Sequence, residues 1–172
     1  MISPNHFQSK IKEISAFKKT KIVLALDPKF QTPNLTEYLS RHISELSRYL
    51  CGVKLNFHAI LPLSESELKE ITQIAHDNQV QVIADLKIND IYDTNKVIIK
   101  KLADIGFDCA IVNPFIGRAS LISLVEFAHS IDFGIISLVY MSHPDAIESY
   151  GASIITSNST PMQIGSTVLS MG

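Results

Sequence analysis

What this chain has little of narrows its function class before any motif is read. It has no basic excess: 15 Lys and Arg stand against 17 Asp and Glu, a formal charge of −2, with a pI near 6.3. A nucleic-acid-binding domain usually carries a basic stripe, and none runs through this sequence. Nucleic acid is therefore not an expected partner, and any anionic ligand must be gripped locally. Only two cysteines occur, Cys51 and Cys109, each inside an apolar segment and neither at metal-ligand or redox spacing. Both read as small core residues, which fits a reducing, cytoplasmic setting. His6, His42, His58, His76 and His129 show no metal spacing either, and His143 reads as a loop residue. No stretch approaches the ~18 consecutive apolar residues of a membrane span, and the opening MISPNHFQSKIKEISAFKK has no apolar signal core. A soluble protein with no membrane partner is expected. Finally, no G-x-G-x-x-G or G-K-[ST] follows any apolar run, so the phosphate loop of a doubly wound nucleotide fold is missing.

What is present is apolar material in a regular alternation. With 172 residues, 46% of them hydrophobic, the chain can build one well-formed core and is short for two, so residues 1–172 are read as a single domain. Phe7, Ile11, Ile14 and Phe17 make one apolar stripe of a short helix over 5–18. Lys21 to Asp27 is a continuous apolar run closed by an acid and Pro28, the pattern of a strand buried on both faces. A helix follows over 35–50, with Asn34 as its candidate cap and Tyr38, Leu39, His42, Ile43, Leu46 and Leu50 on its inner stripe. Gly52 to Asn56 is the second strand. Ser64 and Glu67 form a capping box for a helix running to His76–Asn78. The third strand is Gln81 to Lys87, and a helix over 94–105 follows, with Val97, Ile98, Lys101, Leu102 and Ile105 in phase and Gly106 as a left-handed cap. Cys109 to Asn113 is a fourth strand, Ala119 to His129 a helix, and Gly134 to Tyr140 a fifth strand entering Met141-Ser142-His143-Pro144.

Strands thus begin near 21, 51, 81, 109 and 134, a repeat of one βα unit, and right-handed crossovers make them parallel. Ionic groups end strands one, two and three in succession, as in a (β/α)8 TIM barrel, where reacting groups sit at the carboxyl ends of several strands. The expected fold is therefore α/β of the barrel type, incomplete at five to six βα units, since eight would need roughly 220 residues or more. The stretch 151–172 has no charged residue and is rich in Ser, Thr and Gly. It is read as a tail, a truncated end or a partial sixth strand around Met162 to Thr167.

The chemistry is concentrated where an apolar strand runs into Asp85, Lys87 and Asp90. An unpaired interior charge is costly, so these groups need partners. Residues two apart on a strand share a face, which puts Asp85 and Lys87 together at the barrel mouth beside Lys54 and Asp27 of the neighbouring strands. Alternating Lys and Asp keeps every member ionised. Such a row suits a reaction in which negative charge grows on carbon, because an ammonium can stabilise the carbanion and then protonate it. A solvated ion-pair network at a strand end would look the same, and the residues alone leave both readings open.

The set Leu26-Asp27, Val53-Lys54, Asp85-Leu86-Lys87-Ile88-Asn89-Asp90-Ile91, Thr94-Asn95 and Met141-Ser142-His143-Pro144 resembles the orotidine 5′-phosphate decarboxylase family, in its compact microbial form, over residues 21–148. The resemblance implies a barrel homodimer in the cytoplasm that converts orotidine 5′-phosphate to UMP and CO2, the closing step of pyrimidine nucleotide synthesis, with no cofactor and no metal. It also implies roles. Lys87 protonates C6 of the pyrimidine, Asp85 presses on the departing carboxylate, Lys54 holds Asp85 and a ribose hydroxyl, and Asp27 binds the ribose. Asp90, Ile91 and Thr94 serve the partner subunit's site, and Ser142 contacts the pyrimidine. Tyr92 stands where the family often has proline. The family's phosphate-gripping loop, its late arginine and a glutamine have no counterpart here, and Gly165-Ser166-Thr167 only echoes its strand-six segment. Because remote phosphate binding supplies much transition-state stabilisation, a chain ending at Gly172 is expected to turn over little. Two other readings follow. One is a related sugar-phosphate lyase, a keto-gulonate phosphate decarboxylase or hexulose phosphate synthase, which would need Mg2+. The other is an inactive fragment serving as a binding module.

Overall fold

Parallel strands joined by helical crossovers set the architecture. The computed structural model describes residues 6–29, 31–155 and 161–163. Helix α1 (His6–Lys18) precedes β1 (Val23–Leu26), and α2 (Leu35–Leu46) leads through a 3-10 turn at Ser47–Tyr49 into β2 (Gly52–Asn56). A single turn, α3 (Phe57–Ile60), and helix α4 (Glu65–Asp77) connect to β3 (Gln81–Ile88). Next come α5 (Tyr92–Ile105), β4 (Cys109–Val112), α6 (Arg118–Ser130) and β5 (Gly134–Ser137). The five strands are parallel and lie in chain order, β1-β2-β3-β4-β5. This is the expected barrel-type α/β arrangement, with five parallel strands and four helical crossovers among the described residues.

The core lies between this sheet and its covering helices. Val53, Leu55, Val82, Ala84, Ala110 and Val112 meet Leu39, Ile43, Ile71, Ile99 and Leu124, all fully buried. Local chemistry starts and stops the helices much as read. The Ser64 hydroxyl accepts from Glu67 N–H at 3.3 Å and the Glu67 carboxylate accepts from Ser64 N–H at 2.8 Å, a complete capping box for α4. Gly106 ends α5 at φ 108°, and a Cβ there would come within 2.6 Å of Thr72 Oγ1, so this position excludes any side chain.

Several expectations are corrected. Strand β1 is not buried on both faces: Ile22, Val23 and Ala25 are exposed, because β1 is a sheet edge among the described residues. Phe17 is 75% exposed, and Leu46 and Val97 also face outward. In α5 the buried stripe is Asn95, Ile99, Leu102 and Ile105, rotated from the apolar reading by an inward asparagine. Asn34 adopts a left-handed conformation and makes no side-chain cap to α2, so it starts that helix through its backbone. The tail does not supply a sixth parallel strand at Met162. Instead β6 (Ser153–Ile155) and β7 (Pro161–Gln163) pair antiparallel as a separate two-stranded sheet, since the sequence between them is far shorter than the dozen or so residues a parallel crossover needs. Gly165-Ser166-Thr167 lies outside the described residues. Cys51 and Cys109 are free and buried, as expected.

Candidate active site

Register builds the site. Ala25, Lys54 and Ile83 oppose one another across β1, β2 and β3, and two residues further Asn56 opposes Asp85. Lys54 alternates with Val53 and Leu55, which pack into the core, so it projects from the other face of the sheet together with Asp85. Lys54 Nζ donates to Asp85 Oδ2 at 2.7 Å and lies 3.9 Å from Asp27 Oδ1. On the far side Lys87 Nζ donates to Asp85 Oδ1 at 2.6 Å. Four charges of alternating sign, Asp27, Lys54, Asp85 and Lys87, therefore stand in one connected row.

Asp85 is its centre. Only 8% of its side chain is exposed, whereas Lys87 keeps 37% open to solvent. Burial pushes the Asp85 pKa up, but hydrogen bonds from Lys54 and Lys87 and their positive charges outweigh it, and the carboxyl titrates below its ordinary value. The Asp85–Lys87 contact does not come from a regular pleat. Pairing shifts from Ala84↔Ala110 to Ile88↔Val112, so four steps of β3 span two of β4, and Lys87 sits in this bulge at φ 47°. A left-handed lysine is strained, and bulges of this kind re-aim side chains beside active sites.

Of the other expected residues, Asp90, Ile91 and Thr94 lie outside the row. They form the exposed entry to α5, with Ile91 71% exposed. Asp90 Oδ1 accepts from Ile91 N–H at 2.7 Å. Ser142 is exposed in the segment after β5 and is not brought to the ionic row by any hydrogen bond among the described residues.

The roles of three residues escaped the sequence reading. Asn95 is wholly buried; its Oδ1 accepts from Asp90 N–H at 3.1 Å and its Nδ2 donates to Asp90 O at 2.6 Å. Asn56 donates to Asp27 Oδ1, and its own carbonyl oxygen accepts from Ala59 N–H, capping α3. His58 Nε2 lies 2.9 Å from Pro28 O, beside Asp27. A polar residue inside an otherwise apolar helical stripe was the one available signal for Asn95. For Asn56 and His58 there was none, because their partners are 29 and 30 positions away.

The model of the orotidine 5′-phosphate decarboxylase / HUMPS family matches residues 20–158. The chain belongs to that family. Among curated relatives, the orotidine 5′-phosphate decarboxylase of Pyrococcus abyssi is 36% identical over 127 residues, covering 74% of this chain and 55% of the relative. The crystal structure of the Pyrococcus horikoshii orotidine 5′-phosphate decarboxylase superposes with a TM-score of 0.60 at 34% identity, covering 73% of this chain and 54% of that one. The Methanocaldococcus jannaschii orotidine 5′-monophosphate decarboxylase complexed with inhibitor BMP gives 0.63 at 28% identity, covering 75% and 56%. The chain spans about half the length of the curated relatives it matches. The orotidine 5′-phosphate decarboxylase family match covers all of the ionic row, from Asp27 to Lys87, as well as Asp90, Ile91, Thr94 and Ser142.

Proposed function

We propose that this protein decarboxylates orotidine 5′-phosphate to UMP, with Lys87 as the proton donor. The observation that carries the proposal is the position of Asp85, held between the Lys54 and Lys87 ammonium groups at 2.7 and 2.6 Å. A carboxylate fixed in that way cannot swing from an anionic substrate, so a second carboxylate placed against it is repelled until it leaves as neutral CO2. The bond from C6 to the carboxylate carbon breaks and its electron pair stays on C6. Lys87 stabilises that charge and delivers one N–H proton to it, giving UMP and a neutral amine that solvent reprotonates. Preorganised charge of this kind acts without reorganisation during the reaction. Lys54 and Asp27 then hold ribose hydroxyls, and Ser142 contacts the pyrimidine.

The exposure of Asp90, Ile91 and Thr94 fits a homodimer in which these residues complete the partner's site, and no organic cofactor or metal takes part. Single-turnover assays with protein in excess over orotidine 5′-phosphate test the chemistry. Lys87→Ala is expected to slow CO2 release by about 10^3-fold with an unchanged circular dichroism spectrum, and chelator should leave the rate as it is. Loss of turnover in chelator would point instead to a sugar-phosphate lyase. The absence of CO2 release at any protein excess would sink the proposal and leave a binding role. Mixing Lys87→Ala with Asp90→Ala chains should restore part of the activity, since one site in a mixed dimer is then intact. No recovery would refute the shared site.

A further inference from the structure

At the opposite end of the sheet from the ionic row, the last residue of α1 does something unusual for a lysine. Lys18 Nζ lies within hydrogen-bond distance of four main-chain carbonyl oxygens: Ser47 O at 2.9 Å, Leu50 O at 3.2 Å, Asn78 O at 2.8 Å and Gln79 O at 2.8 Å. Two of these carbonyls come from the turn that ends α2 and precedes β2. The other two end α4 and precede β3.

A lysine ammonium has three N–H bonds in fixed directions, so it cannot aim one at each of four oxygens. A spherical ion such as potassium, or free ammonium with its four N–H bonds, can. The carbonyls of Ser47 and Leu50 lie near the negative end of α2, and those of Asn78 and Gln79 near that of α4, so the potential in the cage is negative. The geometry points to a site for a large monovalent cation, potassium or ammonium, in which Lys18 is the permanently tethered occupant. Rings of main-chain carbonyls replacing a hydration shell are the usual way proteins hold such ions. Burial lowers the pKa of Lys18, against an opposing interaction with Cys51.

The cage has a structural task. It joins the segments that enter β2 and β3, the strands bearing Lys54, Asp85 and Lys87, and it pins α1 beneath them. Other contacts of α1 are modest: Ile14 is buried and Phe7 lies on Gly134, where a Cβ would stand 2.7 Å from the ring. Thr20, just beyond the helix, donates to Tyr49 O at 2.6 Å and so returns the chain to the same turn.

The test is rescue by free ions in the whole chain. Thermal unfolding of Lys18→Ala is compared in potassium, ammonium, sodium, lithium and choline chlorides at equal ionic strength. In choline the variant is expected to melt about 4–10 °C below the unsubstituted protein. Potassium or ammonium should recover at least half of that drop with a saturating dependence, lithium little, and the unsubstituted protein should melt alike in all five. If Lys18→Ala does not fold in choline, recovery of its helical circular dichroism in potassium is the readout. Lys18→Arg carries its own charge to the cage, so it should show no cation preference. Equal melting of Lys18→Ala in every chloride, failure to fold in all of them, or the same potassium dependence in Lys18→Arg overturns the site.

Discussion

Asn95 and Asp90 set the terms at the scale of single residues. A wholly buried amide uses both ends of its side chain on the main chain of Asp90, so a loop with an exposed carboxylate is anchored from beneath. Removing the amide takes away the side-chain partner of the part-buried Asp90 N–H and carbonyl, a loss that costs stability. Asn95→Ala is expected to lose about 2 kcal/mol in urea unfolding and to speed amide hydrogen exchange at Asp90, followed by NMR. Unchanged exchange would mean that the turn is held by something else. Charged residues of the site could be read from the chain because an apolar strand seldom ends in Asp-x-Lys without need of it. Two of their supports could not: Asn56 and His58 act on atoms 29 and 30 positions away that only folding brings near.

Among elements, the tie between α4 and the start of β4 carries a pH dependence of definite sign. Asp108 Oδ2 accepts from Val82 N–H at 2.7 Å and meets His76 Nε2 at 2.9 Å. The hydrogen bond to Asp108 raises the His76 pKa, against the opposing effect of burial. A histidine with a raised folded-state pKa contributes stability that is full below its unfolded value, about 6.5, and is lost as pH rises through the folded value. The unfolding midpoint in urea should therefore fall across this window, and His76→Gln should flatten that fall. An equal slope in the variant would assign it to other groups. Helices and strands were legible where one rule governed them, as with the Ser64–Glu67 box or the Gly106 cap. Legibility failed where environment decided. Phe17 and Val97 have the spacing of core residues but stay exposed, and β1 has the composition of an interior strand but lies at an edge among the described residues. The antiparallel pairing of β6 with β7 followed from link length rather than from composition.

For the molecule as a whole, the order of strands in the sheet equals their order along the chain. Among the described strands of this sheet each therefore pairs with its neighbour in sequence, one βα unit away, and none skips a unit. Parallel pairing closes a whole βα unit at each step and is slow on that account, with the interior pair β2–β3 as the natural nucleus, since it joins the strands whose core residues Val53, Leu55, Val82 and Ala84 are all fully buried. Truncating Val53 or Val82 to Ala should then slow folding in denaturant-jump kinetics, while Ile135→Ala in the edge strand should chiefly hasten unfolding. The reverse pattern would exclude this order. A sheet built in this sequence lets a growing chain lay each βα unit on the one before it, so that the residues of the ionic row come together while later units are still being made.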